Sequence, residues 1–189
     1  MAEQKHGGHE IAARIKDVMR ILEIPTTEST KDTPSRVARF LLEYKNPITD
    51  VSKVLGPKFD ANGHSSLLVQ QNIPFRMLCE HHLLPALGKA AIGYVPHKHL
   101  VGLSKFTRLV QAVGTECPSL QEAIGDRIAD LLIEYVDAKG VAVILKAEHT
   151  CMACRGVATP GVHTTTSSLR GLFERVDVLR SEFFELIKM

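Results

Sequence analysis

Two short segments carry sulfur and imidazole groups at spacings suited to a metal ion. Residues 79–84 read CEHHLL and contain a C-x-x-H pair, Cys79 and His82. Much later in the chain, Cys151 and Cys154 form a C-x-x-C pair. Cysteine sulfur and histidine nitrogen are the ligands that zinc prefers in tetrahedral protein sites. The two pairs together predict that distant parts of the chain meet around a zinc ion.

The spacing of these residues allows two kinds of zinc site and does not decide between them. With Cys154 as the fourth ligand, the site is a closed Cys3His site of the structural type. With three ligands, Cys79, His82 and Cys151, the metal keeps a free position for water, as catalytic zinc does. Both kinds of site stay open at this point.

Two further histidines, His81 and His149, have no role in a closed structural site. In an extended strand the side chains of residues 149 and 151 share a face, so His149 is expected beside Cys151. A catalytic metal site uses unligated acid–base groups close to the metal. We therefore expect His81 and His149 to transfer protons if the site is catalytic.

Basic residues occur in a pattern suited to phosphate. The segment GLSKFTRLV at 102–110 places Ser104, Lys105 and Arg108 at the start of a predicted helix, where backbone N–H groups also favour anions. Arg155 directly follows the second cysteine pair. Each of these features alone is more often a solvated surface charge.

Two more pairs of polar residues are candidates for contacts with a nucleotide. Arg36 and Arg39 lie one turn apart on an early predicted helix, and guanidinium groups match phosphate oxygens. Gln121 and Glu122 lie on a long predicted helix, where a carboxylate beside an amide suits the N1–H and exocyclic amine of guanine. Either pair is also typical of an exposed helix surface.

The elements that must position these residues are those of an α+β protein. Apolar residues at helical spacing predict helices at 9–23, from Thr33 through Leu41, at 104–115, at 119–137 and around Phe183. Alternating or β-branched segments predict strands at 66–75, 89–96, 141–149 and 163–168. Two strand pairs separated by helices indicate an antiparallel α+β arrangement rather than βαβ units. We divide the chain into an N-terminal helical segment (1–45), a turn-rich connector (46–64) and a main domain (65–189) that contains all the candidate metal ligands.

Composition argues against several classes of protein. The chain has 189 residues, 44% of them hydrophobic, and a formal net charge of +2, which gives no general case for binding nucleic acid or a membrane. No stretch resembles a membrane span, and the first residues lack the apolar core of a signal peptide. We therefore expect a cytoplasmic protein whose four cysteines serve a metal or catalysis rather than disulfides.

Five motifs in order, CEHHLLP, GLSKFTRLV, LQEAI, EHTCMACRGV and HTTTSS, resemble GTP cyclohydrolase I, and the match extends from TPSRVAR to the end of the chain. The resemblance implies the tunnelling fold, an antiparallel sheet with helices packed on one side plus N-terminal helices. It implies two stacked pentamers with active sites between subunits. It also implies conversion of GTP and water to formate and 7,8-dihydroneopterin triphosphate, the first step of pterin and tetrahydrofolate biosynthesis.

The same resemblance assigns a role to each candidate residue. The implied zinc ligands are Cys79, His82 and Cys151. The implied acid–base groups are His81, His149 and Ser104. The implied guanine-binding residues are Glu122 and Gln121. The implied ribose-triphosphate contacts are Ser104, Lys105, Arg108 and Arg155, with Arg36 and Arg39 reaching the triphosphate from a neighbouring subunit.

Two departures from the family pattern leave alternatives open. Cys154 stands where the family has an apolar or small residue, and we expect it to be a buried bystander. The segment TECPS at 115–119 is one residue longer than usual, and its Cys117 has no predicted partner. A zinc-stabilised binding module and another tunnelling-fold enzyme of pterin or deazapurine metabolism, such as a nitrile reductase, stay as alternatives. Folate, tetrahydrobiopterin and deazaguanine synthesis all use this pterin, and the sequence does not separate them.

Overall fold

The computed structural model describes residues 2–188 and the side chains of residues 7–188. The helices and strands follow in chain order: α1 (Ala2–Ile21), α2 (Thr33–Leu42), α3 (Val51–Leu55), β1 (Lys58–Asp60), β2 (Leu68–Leu78), β3 (Pro85–Val95), β4 (His99–Val101), α4 (Ser104–Gly114), α5 (Gln121–Val136), β5 (Gly140–His149), α6 (Thr150–Ala153), β6 (His163–Gly171), α7 (Leu172–Arg175) and α8 (Asp177–Leu186). They divide into two units, Met1–Asn46 and Pro47–Met189. None of the described helices is both long enough and apolar enough to cross a membrane.

The first unit contains α1 and α2. The helix predicted over 9–23 overlaps a longer helix that begins at Ala2 and ends at Ile21. In α2, Pro34 follows Thr33 in the first turn, where its missing N–H has no helical partner to lose. The rings of Phe40 and Tyr44 meet edge to face at a centroid distance of 5.6 Å.

The main sheet of the second unit has four antiparallel strands in the order β2–β3–β5–β6. The α+β class with an antiparallel sheet is therefore confirmed. β2 and β3 extend further toward their connecting turn than predicted, because apolar residues such as Met77 and Leu78 continue the buried pattern of β2. Gly88 of β3 lets the backbone of β5 approach closely, since a Cβ there would lie 1.9 Å from the carbonyl oxygen of Lys146.

The two faces of the sheet pack against different helices. Residues such as Ile92 and Leu145 belong to the core that includes the buried faces of α4 and α5. These two long helices thus lie on one side of the sheet, as predicted. The opposite face packs against α7 and α8 at one end, where Gly93 makes room for the ring of Phe183. A Cβ on Gly93 would lie 2.6 Å from that ring.

The direction of α4 along the sheet determines which residues can share a site. The turn at residues 79–84 joins β2 to β3 at one end of the sheet, and Tyr94 lies near the other end of β3. Near the start of α4, the ring of Phe106 lies 5.3 Å from that of Tyr94. At its end, a Cβ on Gly114 would lie 2.3 Å from the Arg76 carbonyl oxygen. α4 therefore begins at the end of the sheet remote from residues 79–84.

Candidate metal centre and active site

The turn between β2 and β3 carries the first pair of candidate ligands. The Cys79 N–H donates to the Leu84 carbonyl at 3.0 Å, and the Leu83 N–H donates to the Cys79 carbonyl at 2.8 Å. Leu83 has a φ of 52°, in the left-handed region that a residue with a Cβ seldom adopts. Within this closed turn, Sγ of Cys79 lies 3.8 Å from Nδ1 of His81 and 4.0 Å from Nδ1 of His82.

The end of β5 supplies the third candidate ligand. The expected strand-like alternation between residues 149 and 151 is wrong, because the strand ends at His149 and Cys151 lies in the helical turn α6. The Thr150 hydroxyl donates to the Pro85 carbonyl at 2.6 Å, and His149 pairs with Ala86 in the sheet. Pairing of β3 with β5 therefore brings this segment beside the turn at 79–84.

Cys79, His82 and Cys151 each place a possible ligand atom within 4.8 Å of those of the other two. Two thiols and one imidazole are a donor set that suits zinc, so the residues present fit such an ion. Cys154 is not part of this group. The expectation that it is buried is wrong: Cys154 is exposed, because it ends the helical turn α6 with its Sγ donating to the Thr150 carbonyl at 2.9 Å. Among the residues that the structure describes, the group that could hold a metal ion therefore has three members and excludes Cys154.

A pocket of about 350 Å³ lies beside these ligands. Besides the three ligands, its walls include four residues predicted for the site, namely His81, Gln121, Glu122 and His149. Residues from β2, the following turn, the start of α5 and the end of β5 thus meet in one cavity that joins candidate metal ligands, imidazoles and a carboxylate.

The connector between α4 and α5 is hydrogen-bonded to the turn at residues 79–84, which we call the ligand turn. The Ser119 N–H donates to the Leu78 carbonyl at 3.0 Å, and the Glu80 N–H donates to the Ser119 carbonyl at 3.3 Å. Ser119 and Cys79 thereby form a parallel bridge just before α5 begins. Sequence patterns did not predict this bridge, since backbone hydrogen bonds leave no mark on residue type.

Gln121 at the start of α5 is buried, with 2% of its surface exposed. Its Nε2 lies 3.0 Å from the Leu145 carbonyl, 3.2 Å from the Thr164 carbonyl and 3.1 Å from the Thr166 hydroxyl. Its Oε1 lies 2.8 Å from Nε2 of His149. The threonine-rich strand β6 thus anchors a polar side chain next to the pocket, a role that its sequence alone did not reveal.

The pocket environment shifts the pKa of two of its groups. Burial lowers the pKa of His149, and the charge of Glu122 opposes that shift. Burial raises the pKa of the Cys151 thiol, and its contact with Cys79 adds to the effect. Both shifts favour the uncharged forms, the neutral imidazole of His149 and the protonated thiol of Cys151.

Within the second unit, the four residues predicted to bind triphosphate, Ser104, Lys105, Arg108 and Arg155, do not line this pocket. Ser104, Lys105 and Arg108 lie in the first turns of α4, at the end of the sheet remote from residues 79–84. The ammonium of Lys105 lies over Gly56, where an added Cβ would come within 2.5 Å of its Nζ. One chain by itself therefore does not bring these three residues to the candidate metal ligands.

The other predicted arginines have separate surroundings. Nη1 of Arg155 lies 2.5 Å from Nε2 of His82, so its guanidinium stands next to a candidate metal ligand. Arg36 and Arg39 belong to α2 in the first unit. Arg36 lies 3.9 Å from the carboxylate of Asp32, one turn earlier, and both side chains are largely exposed.

Comparison with known proteins places the chain in a family. Residues 11–188 match the family model of GTP cyclohydrolase I. The chain is 41% identical over 180 residues to GTP cyclohydrolase 1 of Aquifex aeolicus (strain VF5), covering 93% of this chain and 96% of the relative. It is 42% identical over 173 residues to the enzyme of the same name from Corynebacterium glutamicum (strain R), covering 88% of this chain and 85% of the relative.

A solved structure, the archaeosine synthase QueF-Like in the apo form, superposes with a TM-score of 0.46 at 15% identity, covering 56% of this chain and 94% of that one. The family match and the curated relatives span nearly the whole chain, including both segments that supply the candidate ligands. This chain belongs to the GTP cyclohydrolase I family.

Proposed function

We propose that this chain converts GTP and water to formate and 7,8-dihydroneopterin triphosphate at the pocket beside Cys79, His82 and Cys151. The observation that carries the proposal is the meeting of these three ligands with two further imidazoles in one cavity. Zinc is the proposed metal because it favours mixed sulfur and nitrogen ligands. When bound, it would act as a Lewis acid and lower the pKa of a water molecule near purine C8.

Glu122 is the proposed guanine-binding residue. Its side chain is exposed and it lines the pocket, so its carboxylate can accept hydrogen bonds from the guanine N1–H and exocyclic amine. Adenine lacks that pair of donors, and a carboxylate that the bound base covers and leaves unpaired strongly disfavours binding. Glu122→Gln should therefore raise the KM for GTP, whereas Glu134→Gln, an exposed position on the same helix, should not.

The two unligated histidines are the proposed proton-transfer groups. His81, with a largely exposed imidazole, protonates purine N7, which makes C8 more open to attack by water and later helps the C–N bond to break. His149, whose neutral form burial favours, accepts a proton during opening of the ribose ring and rearrangement of its carbons. Ser104 is the proposed partner of His149 in these later steps.

We propose that the triphosphate contacts come from a second copy of the chain. Ser104, Lys105 and Arg108 are remote from the pocket of their own chain, since β3 separates the two ends by roughly 30 Å at 3.3 Å per residue. A homo-oligomer, in the proposed form of two stacked pentamers with sites between subunits, would supply them. The proposed set of phosphate contacts also includes Arg155, at the edge of the metal site, and the pair Arg36 and Arg39. Sedimentation of the purified protein tests the assembly.

The activity test uses zinc-loaded protein and GTP, with formate assayed directly and the pterin detected by fluorescence after oxidation. We expect both products with GTP and neither with ATP. His81→Asn should keep its metal and lose turnover, which separates the proposed proton transfer from metal binding. Absence of both products from protein with a full complement of zinc would contradict the proposed function.

A further inference from the structure

We propose that Gln121 is a positioning residue for His149: its amide oxygen keeps a proton on Nε2 and leaves Nδ1 as the nitrogen that exchanges a proton with the substrate. This inference rests on the proposed function, because it assigns a specific atom to the proton transfer. It gives Gln121 a role that acts through His149 rather than through contact with guanine.

The orientation of the Gln121 amide follows from its surroundings. Its Nε2 faces two carbonyl oxygens, those of Leu145 and Thr164, and the Thr166 hydroxyl. The reverse orientation would place the amide oxygen against both carbonyls, where no hydrogen bond is possible. The NH2 group therefore points into the β5–β6 pair, and Oε1 points to His149.

An amide oxygen only accepts hydrogen bonds, so this orientation determines the tautomer of His149. At 2.8 Å from Oε1, Nε2 of His149 must be the donor. The hydrogen bond therefore keeps a proton on Nε2 and leaves Nδ1 as the ring nitrogen that does not contact the Gln121 amide. Among the described residues Nδ1 has no hydrogen-bond partner, while the imidazole lines the pocket. Nδ1 can thus take a proton from the substrate and return it in a later step.

The Gln121 side chain is held rigidly, and this matters for the orientation of His149 as much as the direction of the hydrogen bond between them. Gln121 is 2% exposed, and its amide bridges neighbouring strands while its own backbone starts α5. The two hydrogens of the NH2 group are shared among three nearby acceptors, so the amide cannot rotate without leaving its own buried polar atoms unpaired, which costs about 1–3 kcal/mol for each group. The helix and two strands therefore fix His149 in one ring orientation.

The experiment compares Gln121→Met with two matched variants in the full-length, zinc-loaded protein. Gln121→Met keeps the length of the side chain and removes the acceptor. Gln121→Glu keeps an oxygen toward His149, and its carboxyl, buried against two carbonyl oxygens, favours the protonated form, whose O–H replaces one N–H of the amide. Thr166→Val removes one anchor of the amide and leaves the acceptor in place. Nitrogen-15 NMR of histidine-labelled protein reports the tautomer, and a His149→Gln sample identifies the resonance among the nine histidines.

We expect an Nε2–H signature for His149 in the wild type, Gln121→Glu and Thr166→Val, and a mixture of tautomers in Gln121→Met. The kcat of Gln121→Met should fall at least about tenfold, short of the 10²–10⁴-fold effect of losing an acid–base group, with the KM for GTP unchanged. An Nδ1–H signature in the wild type overturns the proposal even if Gln121→Met fails to fold. A higher KM for GTP in Gln121→Met, with kcat and the tautomer of His149 unchanged, also overturns the proposal.

The proposed function can fail separately from this inference. Wild-type protein that holds zinc but yields no formate contradicts the reaction, whereas the NMR signature still reports whether Gln121 sets the tautomer of His149. Conversely, normal turnover with the same tautomer in wild type and Gln121→Met contradicts only the positioning role.

Discussion

The backbone of Ser119 is hydrogen-bonded to both neighbours of Cys79, through the Leu78 carbonyl on one side and the Glu80 N–H on the other. A candidate metal ligand is thus fixed by a segment forty positions later in the chain, which also leads into the helix that carries Gln121 and Glu122. The ligand turn and the proposed guanine-binding residue are therefore positioned by the same pair of hydrogen bonds.

Ser119→Pro should weaken both metal binding and stability. Proline has no N–H, so the bond to the Leu78 carbonyl is lost, and an unpaired buried carbonyl costs about 1–3 kcal/mol. Ser119→Ala keeps the backbone N–H and is the matched control. Zinc affinity by competition with a chromophoric chelator and thermal unfolding should separate the two variants. Equal affinity and stability for both would mean that the bridge does not hold the turn.

Cys154→Ala should retain a full complement of zinc and normal turnover. The thiol donates to the Thr150 carbonyl and lies outside the three-ligand group, so its removal leaves the metal ligands intact. Cys151→Ala, three residues earlier, should lose zinc and activity. Metal content by mass spectrometry tests both variants. Loss of zinc from Cys154→Ala would restore the alternative of a closed four-ligand site.

Leu83→Gly should be more stable than Leu83→Ala. Leu83 is 47% exposed, so either variant loses little packing, but only glycine relieves the positive φ of 52°. The left-handed conformation costs roughly 1–2 kcal/mol for a residue with a Cβ, and the greater freedom of glycine when unfolded offsets part of the gain. Denaturant unfolding of the zinc-loaded variants measures the difference. Higher stability in the alanine variant would show that the turn carries no such strain.

Zinc uptake should release protons, and zinc affinity should fall as the pH is lowered. Burial raises the pKa of the Cys151 thiol above its ordinary value of 9.0, so at pH 7 the metal-free thiol is protonated. Zinc binds the thiolate, and binding must therefore expel that proton. Titration of zinc into lightly buffered protein with a pH indicator measures the release. Cys154→Ala should release the same number of protons, while an affinity independent of pH would contradict the assignment of Cys151.

Sequence patterns predicted the main sheet and its long helices because their apolar residues repeat over many positions. They did not predict α3, β1 or β4, which have five residues or fewer and are too short for a repeat to show. The spacing of Cys79, His82 and Cys151 suggested a shared metal. The spacing did not decide whether Cys154 is a fourth ligand, because the direction of that thiol depends on the helical turn that begins after His149.

The parts of the site that the sequence did not reveal depend on contacts between distant segments. Gln121 and Glu122 are adjacent and similar in size, yet one is buried between two strands and the other is exposed. That difference arises from how α5 packs on β5 and β6, which residue types alone do not specify. The bridge between Ser119 and Cys79 is made by backbone atoms that every residue type except proline provides.

The placement of Lys105 and Cys151 at opposite ends of the sheet has a genetic consequence. If each working site draws Lys105 from one copy and Cys151 from another, two inactive variants can compensate for each other. Lys105→Met and Cys151→Ser proteins, each inactive alone, should regain part of the activity when dissociated and reassembled together. Recovery must fail if every chain supplies its own complete site, so mixed assemblies without activity would exclude shared sites. Two alleles that each encode an inactive chain would then together yield active enzyme, which is intragenic complementation.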